Sequence, residues 1–144
     1  MMVRAATLED HDRVMELMCF LQPNDPKLSE AESQSIFSEI VNSRRFIILV
    51  AEKDKCIAGT CYINIIPNLT RHAAPYAVIE NVVTHPDFRR QGIGKALMTH
   101  ALELAKTVGC YKVMLLTGGD QDVLEFYKSC GMKSGVKTAF IERW

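Results

Sequence analysis

The sequence has no excess of either charge: 17 Lys and Arg stand against 17 Asp and Glu. A neutral chain offers no electrostatic footprint for a nucleic-acid duplex, so no nucleic-acid partner is expected. Long apolar runs are also lacking. The longest, Phe46 to Ala51, is far below the roughly 20 residues that cross a bilayer. The basic residue of the opening Met1-Met2-Val3-Arg4 leads into Thr7-Leu8-Glu9-Asp10 and not into the apolar stretch of a secretory signal. No membrane partner and a cytoplasmic location are therefore expected. The five cysteines (Cys19, Cys56, Cys61, Cys110 and Cys130) are odd in number and show no CxxC spacing, which argues against a disulfide framework or a zinc knuckle. They are expected to be reduced and mostly buried. His11 and His100 fall in helical segments with no matching ligand, so no metal site is expected.

What is present fits an ordinary globular chain. Apolar residues make up 48% of 144 and charged residues 24%, enough for one core, and a single domain over 1–144 is expected. Met2 to Ala6 reads as a first strand. Thr7 as N-cap opens a helix whose Val14, Leu17, Met18 and Leu21 share one face, and Pro23 and Pro26 end it. Ser29-Glu30-Ala31-Glu32 is a capping box for a second helix with Ile36, Phe37, Ile40 and Val41 inward. The period then changes to that of strands at Phe46 to Glu52, Ile57 to Ile66 and Tyr76 to Thr84. A third helix carries Leu97, Ala101, Leu104, Ala105 and Val108, closed by Gly109. Lys112 to Thr117 is a fifth strand, and a fourth helix is capped by Asp120 or Asp122 and ended by Gly131. Val136 to Ile141 is a sixth strand. Short turns imply antiparallel pairing among the middle strands, and the intervening helix implies a parallel crossover. The expected fold is α/β, a mixed sheet of about six strands with helices on both faces.

The most informative segment is Arg89-Arg90-Gln91-Gly92-Ile93-Gly94-Lys95, which leads from a buried strand into a helix. Free N–H groups at a helix start form an anion site reinforced by the helix dipole. Gly92 and Gly94 let a ligand approach the main chain, and Arg89, Arg90 and Lys95 add positive charge. A pyrophosphate suits this arrangement. A Walker A loop is excluded because Ala96 follows Lys95, and a Rossmann fingerprint because Leu97 stands where its third glycine belongs. Upstream, Glu80 is an acid in the apolar strand Ala77 to Val83. A carboxylate buried there is costly unless it is paired or useful, and desolvation makes a carboxylate a better base. Glu80 is thus a candidate base or ammonium-binding group.

These residues give the chain a resemblance to the GNAT N-acetyltransferase superfamily over nearly its full length. Arg89 to Leu97 looks like that superfamily's acetyl-CoA loop, and Phe126-Tyr127-Lys128-Ser129-Cys130-Gly131-Met132 like its late aromatic segment. Ile79 to Val83 and Gly109 to Val113 are most similar to glucosamine-6-phosphate acetyltransferases, and the length and layout to aminoalkylphosphonate acetyltransferases. The resemblance implies the order β1-α1-α2-β2-β3-β4-α3-β5-α4-β6 and a bulge in strand four. There the main chain of Asn81, Val82 and Val83 would hold pantetheine, while the backbone from Gln91 to Lys95, Ile93 included, holds the pyrophosphate. It implies that Phe126 and Tyr127 lie beside the cofactor, with Tyr127 donating to the departing thiolate. An asparagine common in the superfamily seven residues before the tyrosine is Asp120 here. The implied activity is transfer of the acetyl group of acetyl-CoA to a primary amine of a small molecule by direct attack, without a metal, and a homodimer is expected. A non-catalytic acetyl-CoA sensor and a protein acetyltransferase are the alternatives. Arg71, His72 and His85 flank strand four as weaker candidates for an acceptor pocket.

Overall fold

The computed structural model describes residues 1–144, in two compact units, Met1–Met114 and Leu115–Trp144. The first unit holds one mixed five-stranded sheet in the order β1-β2-β3-β4-β5. Its strands are β1 (Met2–Ala5), β2 (Phe46–Lys53), β3 (Cys56–Ile66), β4 (Tyr76–Thr84) and β5 (Val113–Met114). The first four pair antiparallel. β5 runs parallel to β4 after the crossover helix α3 (Ile93–Thr107). Helices α1 (His11–Leu21) and α2 (Glu30–Val41) connect β1 to β2.

The pleat sends alternate residues to opposite faces. Ile48, Val50 and Val83 pack with Val14 and Leu17 of α1 and Phe37 of α2. On the other face lies α3, whose buried stripe is Ile93, Leu97, Met98, Ala101 and Ala105. Val108, expected inward, is exposed at the helix end. In α2 the buried stripe is Ser33 and Phe37, with Ile40 and Val41 half-buried, while Ile36, expected inward, is 50% exposed.

Helix starts follow their caps. Ser29 accepts the Glu32 N–H at 3.3 Å, and Glu32 accepts the Ser29 N–H at 3.1 Å, completing the expected box. Thr7 opens a 3-10 turn, Leu8–Asp10, before α1 begins. The Asp10 carboxylate accepts the Thr7 N–H at 2.7 Å and two Arg4 N–H groups at 2.7 and 3.0 Å. Arg4 also donates to Glu52 at 2.7 Å, so one guanidinium joins β1, the 3-10 turn and β2. These bonds hold the Asp10 carboxyl below the usual carboxylate range, against the upward push of partial burial.

The second unit contains α4 (Gln121–Ser129), capped by Asp120, whose Oδ1 accepts the Val123 N–H at 3.3 Å. Gly131 follows it at φ 88°, and the Met132 N–H bonds the Tyr127 carbonyl at 3.2 Å, the left-handed stop expected there. The sixth strand expected at 136–141 is not formed. A strand exists through its ladder, and this segment joins none: Val136 is 70% and Phe140 93% exposed. The fifth strand is likewise shorter than the expected Lys112 to Thr117.

Candidate functional site

The connection from β4 to α3 is fastened at several points. The His85 N–H bonds the Ala58 carbonyl at 2.9 Å, and the Phe88 N–H bonds the His85 carbonyl at 2.9 Å. Gln91 donates to the Asp87 carbonyl at 2.9 Å and accepts from Lys53. Within this frame Arg90 has φ 60° and Gly92 φ 83°. Gly92 is the N-cap of α3 and makes no side-chain cap bond, leaving the first N–H groups of the helix without a side-chain acceptor. A Cβ on Gly92 would meet nothing within 4 Å, so the site in front of it is open. Arg89, Arg90, Gln91 and Lys95 are exposed around this turn, while Ile93 is buried and anchors it. The loop thus gathers the predicted cations and glycine-flanked N–H groups at one helix end, a seat suited to a pyrophosphate. A groove of about 490 Å³ extends from Gly92 and Lys95 past Thr99 and His100 toward Met1 and Val3.

Strand four carries the second feature. Glu80 lies across from Tyr62 and Val83 across from Thr60, so Asn81 and Val82 together face Cys61. This is a β-bulge, with Asn81 at φ 53°, a region asparagine tolerates better than other side chains. β5 pairs only with Ala77 and Val78. Beyond Val78, β4 has no strand on its β5 side, and an edge strand of this kind presents main-chain groups to a partner.

Glu80 is exposed, contrary to the expectation of a buried carboxylate. It precedes the bulge in the part of β4 that β5 no longer accompanies. Cys61, beneath the bulge, is fully buried, and burial pushes its thiol up to about 12, which makes it an inert packing group. All five cysteines are free, but only Cys61 is buried: Cys19 and Cys56 are exposed, and Cys110 and Cys130 lie between.

The remaining candidates separate. Arg71, His72 and Ala73 form a left-handed turn before β4, all at φ 55–60°. The Arg71 guanidinium stacks 5.6 Å from the Tyr111 ring centroid, and Lys112 lies over both Tyr76 and Tyr111. His85 is packed between Phe20 and Phe88, and its Nδ1 accepts the Asp87 N–H at 3.3 Å. His11 links α1 to Ser33 of α2 at 3.0 Å. In the second unit Phe126 and Tyr127 are half-buried with rings edge-on at 5.0 Å, and the Asp120 carboxylate is engaged as the α4 cap. No group of three or more His, Cys, Asp or Glu is placed to hold a metal ion, and no helix is long and apolar enough to cross a membrane.

The sequence reading overlooked Gly59, which lets α3 approach the sheet. It also overlooked Tyr62 and Asn64, the half-buried neighbours of Glu80 on β3. A polar Asn64 inside the apolar run Ile57 to Ile66 was the available signal.

Comparison with known proteins agrees with this geometry. The model of the acetyltransferase (GNAT) family matches residues 12–132. A glucosamine 6-phosphate N-acetyltransferase of Trypanosoma brucei brucei is 36% identical over 78 residues, 54% of this chain and 52% of that protein. The chain therefore spans about half the length of that relative. A glucosamine 6-phosphate N-acetyltransferase of Schizosaccharomyces pombe is 31% identical over 98 residues, 67% of this chain and 86% of that one. Among solved structures, a chain of Agrobacterium tumefaciens str. C58, provisionally named an acetyltransferase, is 41% identical with a TM-score of 0.95 over 100% of both chains. The glucosamine-6-phosphate N-acetyltransferase of Arabidopsis thaliana is 26% identical with a TM-score of 0.85, over 99% of each. With the family model covering most of its residues, and with a bulged fourth strand followed by a glycine-opened helix start, the chain belongs to the acetyltransferase (GNAT) family.

Proposed function

We propose that the chain is an acetyl-CoA-dependent N-acetyltransferase that acts on a primary amine of a small molecule within a ternary complex. The observation that carries this reading is the uncapped start of α3, opened by Gly92 at φ 83° and ringed by Arg89, Arg90 and Lys95. N–H groups from Gln91 to Lys95 bind the pyrophosphate there. The bulged edge of β4 at Asn81, Val82 and Val83 pairs with the pantetheine amides, and the Val82 N–H stabilises the oxyanion.

An alkylammonium near pH 7 must lose a proton before it can attack, since its pKa is about 10. Glu80 takes that proton, through water given its exposure. Tyr127 gives its phenolic proton to the departing thiolate. No acyl-enzyme is needed, because holding amine and thioester together supplies much of the acceleration. The protein works in the cytoplasm as a single-domain homodimer, which sedimentation at increasing concentration tests.

Glucosamine 6-phosphate is the first acceptor to try, because relatives 31–36% identical carry it in their names. Acetyl-CoA, a panel of primary amines and a thiol reagent test the reading: acceptor-dependent release of CoA is expected. Absence of release across sugar, phosphonate and alkyl amines, despite bound acetyl-CoA, would leave a non-catalytic binder.

A further inference from the structure

On the sheet face covered by α1 and α2, burial falls away along β3 and β4. Thr60 and Val83, which lie opposite each other, are buried, and Thr60 spends its hydroxyl on the Leu49 carbonyl at 2.7 Å. Two residues further along β3, Tyr62 is half-buried, and Asn64 after it is half-buried too. Tyr62 lies directly across from Glu80, and Asn64 across from Val78. Directly opposed residues point to the same face, so the Tyr62 phenol, the Asn64 amide and the Glu80 carboxylate belong to one patch beside the bulge. Phe46, opposite Asn64 on β2, sets its ring edge-on to Tyr62 at 5.5 Å and fixes the phenol's direction.

None of these three polar side chains has a hydrogen-bond or ionic partner in the protein. By contrast, Arg4 of β1 is committed to Asp10 and Glu52. Burial raises the Tyr62 phenol above its ordinary value, so it is a neutral hydroxyl, able to donate and accept, at any physiological pH. Opposed Cβ atoms in a sheet are about 5 Å apart and diagonal neighbours about 7–8 Å. The Glu80 position and the two β3 positions are therefore close enough neighbours for one small ligand to meet all three.

We propose that Tyr62 and Asn64 are acceptor-contact residues: they form, with Glu80, a floor that hydrogen-bonds the body of an amine bearing ring hydroxyls and selects it over an apolar amine of equal size. This inference rests on the N-acetyltransferase reading and adds the residues that choose the acceptor. A site with hydrogen-bonding groups left unpaired discriminates strongly against a ligand that cannot satisfy them.

The test measures acetyl transfer to glucosamine 6-phosphate, glucosamine and cyclohexylamine by wild type, Tyr62→Phe and Asn64→Ala, with acetyl-CoA affinity measured separately by calorimetry. Tyr62→Phe keeps the ring that packs on Phe46, and melting curves verify that Asn64→Ala stays folded. Expected is transfer to at least one hydroxylated amine and little to cyclohexylamine. Each variant raises the acceptor KM about 5- to 10-fold, the loss of one hydrogen bond, with the acetyl-CoA Kd within twofold. If wild type turns over cyclohexylamine as well as the sugars, or both variants keep the wild-type acceptor KM, the floor is overturned while the acetyltransferase reading stands. If wild type fails to bind acetyl-CoA, the reading beneath it falls and the floor falls with it.

Discussion

A Cβ placed on Gly59 would lie 2.7 Å from Cγ2 of Ile93. Ile93 is the first residue of α3, so the glycine on β3 sets how closely the start of that helix can press on the sheet. The same Cβ would lie 2.8 Å from the Val83 carbonyl, which is backbone next to the bulge and cannot swing aside. One hydrogen atom in place of a side chain therefore governs both the proposed pyrophosphate seat and the proposed pantetheine edge.

Gly59→Ala is expected to destabilise the protein by about 1–3 kcal/mol, the range for overpacking a filled core. Its melting temperature should fall by several degrees, and its acetyl-CoA affinity should weaken because the α3 start is displaced. Gly118→Ala is the control: a Cβ there meets nothing within 4 Å. Equal melting temperatures for the two variants would show that α3 does not depend on this contact.

Gly92 acts differently. Its Cβ would meet open space, so the constraint lies in φ 83° alone. A β-branched side chain resists that region by roughly 1–2 kcal/mol. Gly92→Val should therefore reshape the turn rather than the core, leaving far-UV circular dichroism unchanged while acetyl-CoA affinity falls about tenfold or more in calorimetry. Unchanged affinity would remove the α3 start from the binding site.

The chemical step is probed at Glu80. Glu80→Gln keeps the shape and removes the base. General-base catalysis contributes about 10²–10⁴-fold, so kcat should drop within that range while the acetyl-CoA Kd stays constant. Because Glu80 is exposed and ends no hydrogen-bond network, its melting temperature should hold. A kcat within twofold of wild type would assign the proton to another acceptor.

How far the sequence revealed this site depends on how local each feature is. The turn at Arg89 to Lys95 was legible because its information is contiguous: two glycines, three cations and the amphipathic α3 stripe. The bulge was implied by resemblance, and the residue that makes it possible, Asn81, is one that accepts positive φ. The exposure of Glu80 was not legible, since it depends on where β5 stops, 34 residues later at Met114. Nor was the absence of a strand at 136–141, because alternation in a sequence says what a strand could bury and not whether a partner is there. Asn64 stood out as a polar residue in an apolar run, but only register places it and Tyr62 beside Glu80, joining Tyr62 to Glu80 across 18 residues and Asn64 to Val78 across 14.

Acidification offers a prediction independent of catalysis. Arg4 bonds, with help from the Thr7 N–H, hold the Asp10 carboxyl below its unfolded value of about 3.9, although partial burial opposes them. A carboxyl whose folded pKa is depressed adds stability that is complete above the unfolded pKa and is lost as pH falls through the folded one. Asp10 is 7% exposed and its partner Arg4 more open, so the charged hydrogen bonds are worth about 1.5–3 kcal/mol. Asp10→Asn should lower the melting temperature at pH 7, where the wild-type carboxylate is fully charged. The gap between variant and wild type should narrow as pH drops below about 4, because only the wild type loses a charged partner there. Melting curves from pH 7 to pH 3 measure it. A gap that stays constant across that range would mean that Asp10 stabilises through shape and neutral hydrogen bonds and that the Arg4 pair contributes nothing electrostatic to the junction of β1, α1 and β2.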